Sequence, residues 1–239
     1  MTPFFKFPST RWLLLALIAG LSIAAAPLAR STPPDVRDFS LLPTGDFAGG
    51  DGIIVWTGPA PKTFGELQIG APPSGIADSP PAALIFVSNA TPAANNCPTL
   101  TFKTPHLAVE GTNKTASCSI RFLVPITTDY KADIFFGGNW NRDAAVLMLR
   151  KGVVYLSARA LLQIGNYEPN TWQELRVDYD LAKKTFSVFV NGKEKAFDLP
   201  WNHPNPDDTL MIAADTLPAP QPNIPVLYIQ KITASSESP

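Results

Sequence analysis

The sequence predicts an all-β protein built as a sandwich of two antiparallel sheets, and three observations support this prediction. Short runs of β-type residues recur along most of the chain, and Pro, Gly and Asn separate them. The 239 residues include 25 Pro and 15 Gly, which is typical of a chain with many turns. Beyond residue 30, no window of the sequence has the periodicity of an amphipathic helix.

The positions of the predicted strands follow from the boundaries of these runs. About a dozen short strands with turn signals between them are typical of a sandwich or a barrel. Only residues 158–164 also fit a short turn of helix. The predicted strands span residues 52–57, 84–88, 100–104, 116–125, 131–137, 145–150, 153–161, 173–180, 186–190, 194–199, 209–214 and 226–233.

The clearest local pattern is an alternating strand followed by a hairpin. Leu175, Val177 and Tyr179 alternate with charged residues, which indicates a strand with one buried face. After the next predicted strand, Asn191 and Gly192 supply the two residues with positive φ that a two-residue type I′ hairpin turn requires. We therefore predict three antiparallel strands connected as a meander.

Composition and charge exclude two classes of protein. The chain has 19 basic and 20 acidic residues, so it lacks the basic surface that nucleic-acid binding requires. Hydrophobic residues make up 45% of the chain, enough to build a core, which excludes an acidic disordered protein. We expect one globular domain over residues 46–234, preceded by a linker or an entering strand at 31–45 and followed by a short polar tail at 235–239.

Residues 1–30 are expected to be a secretory signal peptide. Lys6 and Arg11 form a positive region, residues 12–23 are apolar, and three alanines then provide a small-residue cleavage site. An uncleaved anchor is the alternative, because residues 12–29 carry no charge and approach the length that crosses a membrane. In either case we expect the domain to be secreted, periplasmic or extracellular, and to contact a membrane only through an uncleaved leader.

The two cysteines of the chain, Cys97 and Cys118, are 21 positions apart. Proteins that reach an oxidising compartment usually pair their cysteines. We therefore predict a disulfide between Cys97 and Cys118. In the loop-entropy model, a bond that closes a loop of about 20 residues contributes ~3 kcal/mol of stability.

Part of the chain resembles a known family of β-sandwiches. Residues 172–180 (WQELRVDYD) and 185–193 (TFSVFVNGK) are similar to the W-x-x-L-x-V-x-Y-D and T-x-x-V-x-V-N-G segments of concanavalin A-like jelly rolls, which include laminin-G and pentraxin-like domains. Residues 226–232 resemble the closing strand of that family. The resemblance is clearest over residues 145–233 and implies a jelly-roll sandwich. The family includes lectins, sugar-binding modules, glycosidases, lyases and adhesion domains, so it leaves the function open.

Catalytic groups receive little support from the sequence. Glycosidases of the family that the chain resembles place acids at alternate positions of one strand, and Glu174, Asp178 and Asp180 share one face of a predicted strand. Arg176 stands among these acids and would lower their pKa values, the opposite of what a general acid needs. No G-x-S-x-G motif is present, and both histidines are isolated in the sequence. We interpret the acidic face as a solvated strand surface.

Two loops are better candidates for a binding site, because each combines a tryptophan with amide or charged side chains. A sugar presents an apolar face and a ring of hydroxyls, so its site needs an aromatic platform and planar hydrogen-bonding groups. The alternative is that each tryptophan packs over a sandwich edge with its indole N–H bonded to the backbone. The candidate ligand-binding residues are Trp140 with Asn139, Asn141 and Arg142, and Trp201 with Asn202 and His203.

The predicted function is therefore non-catalytic binding of a carbohydrate, without a cofactor. Calcium at the sandwich rim is an alternative, because Asn205, Asp207, Asp208 and Asp215 supply oxygen ligands near a predicted loop, although no calcium-binding motif is present. Two other functions stay open. One is a polysaccharide-degrading enzyme of the same fold, either a glycoside hydrolase or a lyase. The other is a structural or protein-interaction domain of an envelope or adhesion system.

Overall fold

The computed structural model describes residues 33–59, 64–88, 97–108, 115–125, 130–138, 144–157, 161–203, 207–216 and 224–237. The signal peptide expected at residues 1–30 lies outside this part of the chain. Within the described residues, no helix is both long enough and apolar enough to span a membrane.

Strands dominate the described residues, and two short 3-10 turns lie at Phe39–Leu41 and Pro105–Leu107. The strands are β1 (Asp35–Asp38), β2 (Gly45–Asp46), β3 (Ile53–Trp56), β4 (Gly65–Gly70), β5 (Ala83–Ser88), β6 (Thr99–Lys103), β7 (Thr115–Leu123), β8 (Tyr130–Phe136), β9 (Ala145–Arg150), β10 (Val153–Ser157), β11 (Leu161–Asn166), β12 (Gln173–Asp180), β13 (Thr185–Val190), β14 (Lys193–Pro200), β15 (Thr209–Thr216) and β16 (Ile224–Glu237).

The strands form two antiparallel sheets. The nine-stranded sheet has the order β14-β13-β12-β7-β16-β5-β4-β2, and β1 also pairs with β16. The seven-stranded sheet has the order β11-β10-β9-β8-β15-β6-β3. The last strand, β16, therefore lies inside its sheet, with β7 on one side and β5 and β1 on the other.

The hydrophobic core lies between the two sheets and draws on both. Phe86 and Ile120 of the nine-stranded sheet share one buried cluster with Phe102, Ile134 and Phe136 of the seven-stranded sheet, and none of the five is exposed to solvent. Alternate residues of each strand point to opposite faces, so a strand with one face in this core needs an apolar residue at every second position. The predicted fold class, an all-β antiparallel sandwich, is confirmed.

Strands β12 and β13 follow the predicted pattern. Leu175, Val177 and Tyr179 are buried in the core, and the residues between them are partly exposed. Asn191 and Gly192 have φ angles of 50° and 72° and connect β13 directly to β14. Because Asn and Gly tolerate this left-handed conformation, the tight turn forms as predicted. The meander of β12, β13 and β14 is confirmed.

Several strands differ from the sequence prediction. β4 was not predicted, because its only large apolar residues, Leu67 and Ile69, lie among glycines and polar residues. The predicted single strand at 153–161 is two paired strands, β10 and β11, so residues 161–164 are strand and not helix. β1 pairs with residues 231–234, in agreement with the entering-strand interpretation. β16 continues to Glu237, beyond the strand end that the sequence predicts.

The predicted disulfide is not formed: Cys97 and Cys118 are both buried, and no bond joins them. Pro98, the residue after Cys97, packs against Gly65 of β4. Gly65 lies opposite Ser88 of β5, and Ser88 lies opposite Ile224 at the start of β16, so Cys97 is near that end of β16. Cys118 instead lies opposite Ala234 near the end of β16. About ten residues of strand, or ~30 Å, separate these positions, whereas a disulfide needs Cα atoms within ~7 Å. Burial raises the pKa of the Cys118 thiol to about 12, which keeps it protonated.

Candidate functional site

A groove of about 500 Å³ crosses the outer face of the nine-stranded sheet. Its walls come from five strands, β14, β13, β12, β7 and β16, together with the turn after β12. The residues that define it here are Ser117, Asp178, Asp180, Ser187, Phe197 and Glu237. These strands bury their apolar residues in the core, so the alternate positions present polar groups to solvent.

Strand register brings the polar side chains of the groove together in rows. Asp178 of β12 lies opposite Ser187 of β13 and Ser117 of β7, and Ser117 lies opposite Ser235 of β16. In the adjacent row, Asp180 has threonine neighbours on both sides, and Glu237 ends the row on β16. Opposed side chains on one face of a sheet are close enough to interact directly. The groove floor is therefore a continuous surface of hydroxyls and carboxylates.

A β-bulge in β14 supplies the aromatic wall of the groove. The pairing of β13 with β14 shifts between Phe186 and Val188, so Phe197 and Asp198 both lie opposite Ser187. Asp198 has a φ angle of 50°, and its backbone N–H donates to the hydroxyl of Ser187 at 3.2 Å. Bulges redirect side chains in this way and occur often beside functional sites. Phe197 is 68% exposed, which leaves its ring available for stacking.

Two ion pairs hold the charged side chains of the groove. Arg176 Nε lies 3.1 Å from Asp178 Oδ1, and the Arg176 guanidinium lies 4.1 Å above the ring of Phe189. Ser117 Oγ also donates to Asp178 Oδ1 at 2.7 Å. Lys183 Nζ lies 2.9 Å from Asp180 Oδ2, and this hydrogen bond lowers the pKa of Asp180. The lowered pKa keeps Asp180 ionised at neutral pH.

This arrangement suits binding better than acid–base catalysis. A glycosidase needs one carboxyl group with a raised pKa to protonate the leaving group. The pKa of Asp180 is lowered, and Asp178 already accepts from Ser117 and pairs with Arg176. Glu174, the third acid of the predicted face, does not line the groove. The sequence identified these acids as a solvated surface but gave no reason to combine them with Phe197, because the bulge depends on strand pairing.

Trp201 lies inside the sandwich. Its side chain belongs to the main core cluster and is 9% exposed, and its indole N–H donates to the backbone carbonyl of Thr185 at 3.1 Å. These contacts match the packing alternative weighed for the tryptophans, and they place the indole behind Thr185, which lines the groove. The contact with a ligand that the sequence analysis predicts for Trp201 stays a prediction.

Asn202 connects the ends of the two predicted loops. Its backbone N–H donates to the carbonyl of Ala144 at 3.0 Å, and its side-chain Nδ2 donates to the carbonyl of Ser157 at 2.9 Å. His203, next along the chain, is partly exposed. Ala144 directly follows the first predicted loop, so the second loop begins beside the end of the first. The other candidates, Asn139, Trp140, Asn141 and Arg142, lie outside the described residues.

His106 is isolated in the sequence but has partners in the fold. A hydrogen bond of 2.7 Å joins its Nδ1 to Ser236 Oγ, and its Nε2 lies 3.9 Å from Asp35 Oδ2. Thr104 Oγ1 donates to the same Asp35 oxygen at 2.6 Å. His106 and Ser236 are 3% and 4% exposed. The buried His106 side chain therefore connects Asp35 of β1 with Ser236 of β16 at the edge of the core.

The described residues do not provide a set of oxygen ligands for the calcium site considered above. No group of three or more His, Cys, Asp or Glu side chains within them is arranged to hold a metal ion. Asp208, one of the predicted oxygen ligands, forms an ion pair with Lys103 at 3.7 Å. Asn205 lies outside the described part of the chain.

Comparisons with known proteins agree with the sandwich fold. No protein-family model and no curated protein sequence matches this chain. A sialidase structure is similar, with a TM-score of 0.57 and 13% identity over 86% of this chain, which spans 18% of that protein. A protein of unknown function from Shewanella oneidensis MR-1 has a TM-score of 0.56 and 13% identity, with 100% of this chain and 97% of that chain covered. A carbohydrate esterase from the Shiga toxin-encoding bacteriophage phi24B has a TM-score of 0.53 and 13% identity, with 84% and 99% covered. At these identities the likeness shows the fold alone.

Proposed function

We propose that this protein is a non-catalytic carbohydrate-binding domain whose glycan lies in the groove of the nine-stranded sheet. The observation that carries the proposal is an open groove of about 500 Å³ with an exposed phenyl ring beside rows of hydroxyls and carboxylates. Its volume lies within the range of ~300–1,000 Å³ that is usual for ligand sites.

The chemistry of the groove matches that of a sugar chain. The exposed ring of Phe197 offers a flat apolar surface for the C–H face of a pyranose, and the serine and threonine hydroxyls both donate and accept hydrogen bonds. The carboxylates of Asp178 and Asp180 accept hydrogen bonds from sugar hydroxyls while their ion pairs hold them in place. The names of two similar structures, a sialidase and a carbohydrate esterase, make glycans the first ligand class to test.

The proposal keeps the resemblance of the domain to concanavalin A-like sandwiches, and it includes export of the domain from the cytoplasm. The positive and apolar regions of residues 1–30 favour a signal peptide, and glycans of surfaces and matrices occur outside the cytoplasm. N-terminal sequencing of the protein recovered from the periplasm or the medium tests the export of the domain and the cleavage of its signal peptide. A chain recovered only from the cytosol with Met1 or Thr2 intact would contradict it.

The binding test is a glycan microarray followed by isothermal titration calorimetry on the strongest glycan. We expect Phe197→Ala to weaken that binding about tenfold, because an aromatic contact contributes ~0.5–1.5 kcal/mol beyond the buried area. Ile54→Ala is the matched control, since Ile54 is 63% exposed on β3 of the other sheet. This control should bind as the unchanged protein does.

Three outcomes would contradict parts of the proposal. Absence of binding to any glycan, with a protein partner co-purifying instead, would favour the protein-interaction alternative. Loss of binding in Trp140→Ala, with Phe197→Ala unaffected, would move the site to the predicted loops. Release of reducing sugars or of unsaturated uronates from the bound glycan would show that the protein is an enzyme.

A further inference from the structure

We infer that the groove selects against acidic glycans, so that its ligands are neutral or amino-bearing sugars. This inference rests on the proposed function and adds the chemical class of the ligand. The groove is lined by four carboxylates and two basic groups, so its own formal charge is −2. The acids are Asp178, Asp180, Asp198 and Glu237, and the bases are Arg176 and Lys183.

Both basic groups of the groove are already engaged. Arg176 lies 3.1 Å from Asp178 and stacks over Phe189, so its guanidinium is held by an anion on one side and a ring on another. Lys183 lies 2.9 Å from Asp180, and this carboxylate raises the pKa of the lysine. An acidic sugar that approaches either cation also approaches the aspartate paired with it, so the repulsion of that aspartate largely offsets the attraction of the cation.

Two carboxylates of the groove, Asp198 and Glu237, form no direct ion pair among the described residues. The negative charge of Asp198 nevertheless acts on Lys183 and helps to raise the pKa of that lysine. Asp198 accepts a hydrogen bond from Thr185 Oγ1 at 2.7 Å, which is a neutral contact, and it lies on β14 at one end of the groove. Glu237 lies on β16 at the other end and is exposed. Four strand spacings, or ~19 Å, separate the two strands. A glycan that crosses the groove therefore meets a carboxylate at both ends, and the groove as a whole has a formal charge of −2.

The electrostatic consequence differs among three classes of sugar. The carboxylate of a uronic or sialic acid is repelled at both ends of the groove and finds no unengaged cation in it. A neutral sugar meets only hydrogen-bonding groups and the ring of Phe197, and a protonated amino sugar is attracted to Asp198 or Glu237. Because these groups face solvent, the discrimination should weaken as salt screens them.

The test compares polymers that share a backbone and differ in charge. One pair is fully methyl-esterified and de-esterified homogalacturonan, and the other is hydroxyethylcellulose and carboxymethylcellulose, each titrated calorimetrically at low salt. We expect the neutral member of a bound pair to bind at least tenfold more tightly than the acidic member, and the ratio to shrink at ~0.5 M salt, where the screening length is only a few ångströms.

The variant Asp198→Asn/Glu237→Gln tests the origin of that ratio. Asn accepts the Thr185 hydrogen bond and tolerates the positive φ of residue 198, so the bulge is preserved. We expect the neutral-to-acidic ratio to fall to about threefold or less. Asp51→Asn/Glu194→Gln changes the net charge equally at exposed residues outside the groove and should keep the full ratio.

Each outcome distinguishes the inference from the function on which it rests. Equal binding of both members of a pair, or tighter binding of the acidic member, would overturn the selectivity and leave glycan binding intact. A ratio that the groove variant does not change would show that other charges cause it. Failure of all four polymers to bind, together with absence of binding to every glycan of the microarray, would overturn both proposals.

Discussion

The outer face of the nine-stranded sheet has two halves of opposite character. Around β5, the outward residues Ile85, Val87, Leu123 and Tyr228 form an apolar cluster that is buried. Across β12 and β13 the outward residues are polar, and the groove stays open. The comparison shows that the outward positions of each strand decide whether a further layer of chain must cover it, since exposed apolar patches are unfavourable in water.

The cover over the apolar half is built from a loop and a tryptophan. Ile76 and Trp172 pack against the apolar cluster, and the Trp172 indole N–H donates to Ser79 Oγ at 3.2 Å. Arg121 bonds the carbonyl of Asp78 at 3.4 Å and lies 5.9 Å from the Trp172 ring. We refer to residues 71–82 as the cover segment. None of its residues lines the groove, so one face of the sheet carries both a closed region and a candidate binding site.

The largest difference between the halves should appear in stability on β7. Leu123→Ala removes a fully buried outward side chain and should lower the free energy of unfolding by ~3 kcal/mol, the usual cost of a buried Leu→Ala change. Ser117→Ala, six positions earlier on the same face, should cost less than ~1 kcal/mol, because it removes one partly exposed hydrogen bond. Urea unfolding of both variants checks this, and similar losses in the two would contradict the division.

A smaller effect is expected when the cover itself is loosened. Trp172→Ala removes a partly buried ring and should cost ~2 kcal/mol, below the range for a fully buried tryptophan. Amide exchange should accelerate in the cover segment 71–82 while β12 stays protected. Phe197→Ala is the matched aromatic control in the open half, and it should change stability by no more than ~0.5 kcal/mol. Unchanged exchange in the cover segment would show that Trp172 does not hold it.

The smallest effect concerns the ion pair at the groove edge. Hydrogen bonds from the Lys183 side chain and then from its backbone N–H lower the pKa of Asp180, so Lys183→Gln should raise that pKa only part of the way to the ordinary value of ~3.9. A lowered carboxyl pKa in the folded state stabilises the fold above the ordinary pKa, and the contribution is lost as the pH falls through the lowered value. Stability near pH 7 should nevertheless change little, because the Lys183 side chain is 70% exposed and solvent screens its pair with Asp180. Titration of the Asp180 carboxyl by NMR checks this, with Lys193→Gln as the control that should leave it unmoved.

Local patterns predicted those parts of the fold that depend on neighbours in sequence. The alternation in β12 and the Asn191-Gly192 turn are complete within a few residues, so both could be identified before any pairing was known. β4 shows the limit of this reasoning, because its burial comes from its neighbours in the sheet and not from a strong apolar run. The positions of whole strands are also invisible locally, so the sequence could not show that Cys97 and Cys118 lie far apart along the sandwich.

The groove depends on contacts between residues far apart in the chain. Ser117 and Asp178 are separated by 61 positions and become neighbours only through the pairing of β7 with β12. Phe197 gave no signal in the sequence, because a bulge without glycine has no composition of its own. Loop composition directed the search to Trp201, whose indole the fold uses in the core. The alternating strand face, interpreted as solvated, contained two of the six residues that define the groove, Asp178 and Asp180.

The central position of β16 also has a consequence for the order in which the sandwich is completed. The strands β5, β4 and β2 reach β7 and its neighbours only through β16, which follows all of them along the chain. During synthesis the two flanks of this sheet therefore have unpaired edges until the chain has been made through residue 237. Such late, long-range pairing is slow and leaves strand edges open to aggregation. A chaperone that shields the edges of β5 and β7 during that interval would therefore reduce aggregation more than one that binds only exposed apolar side chains.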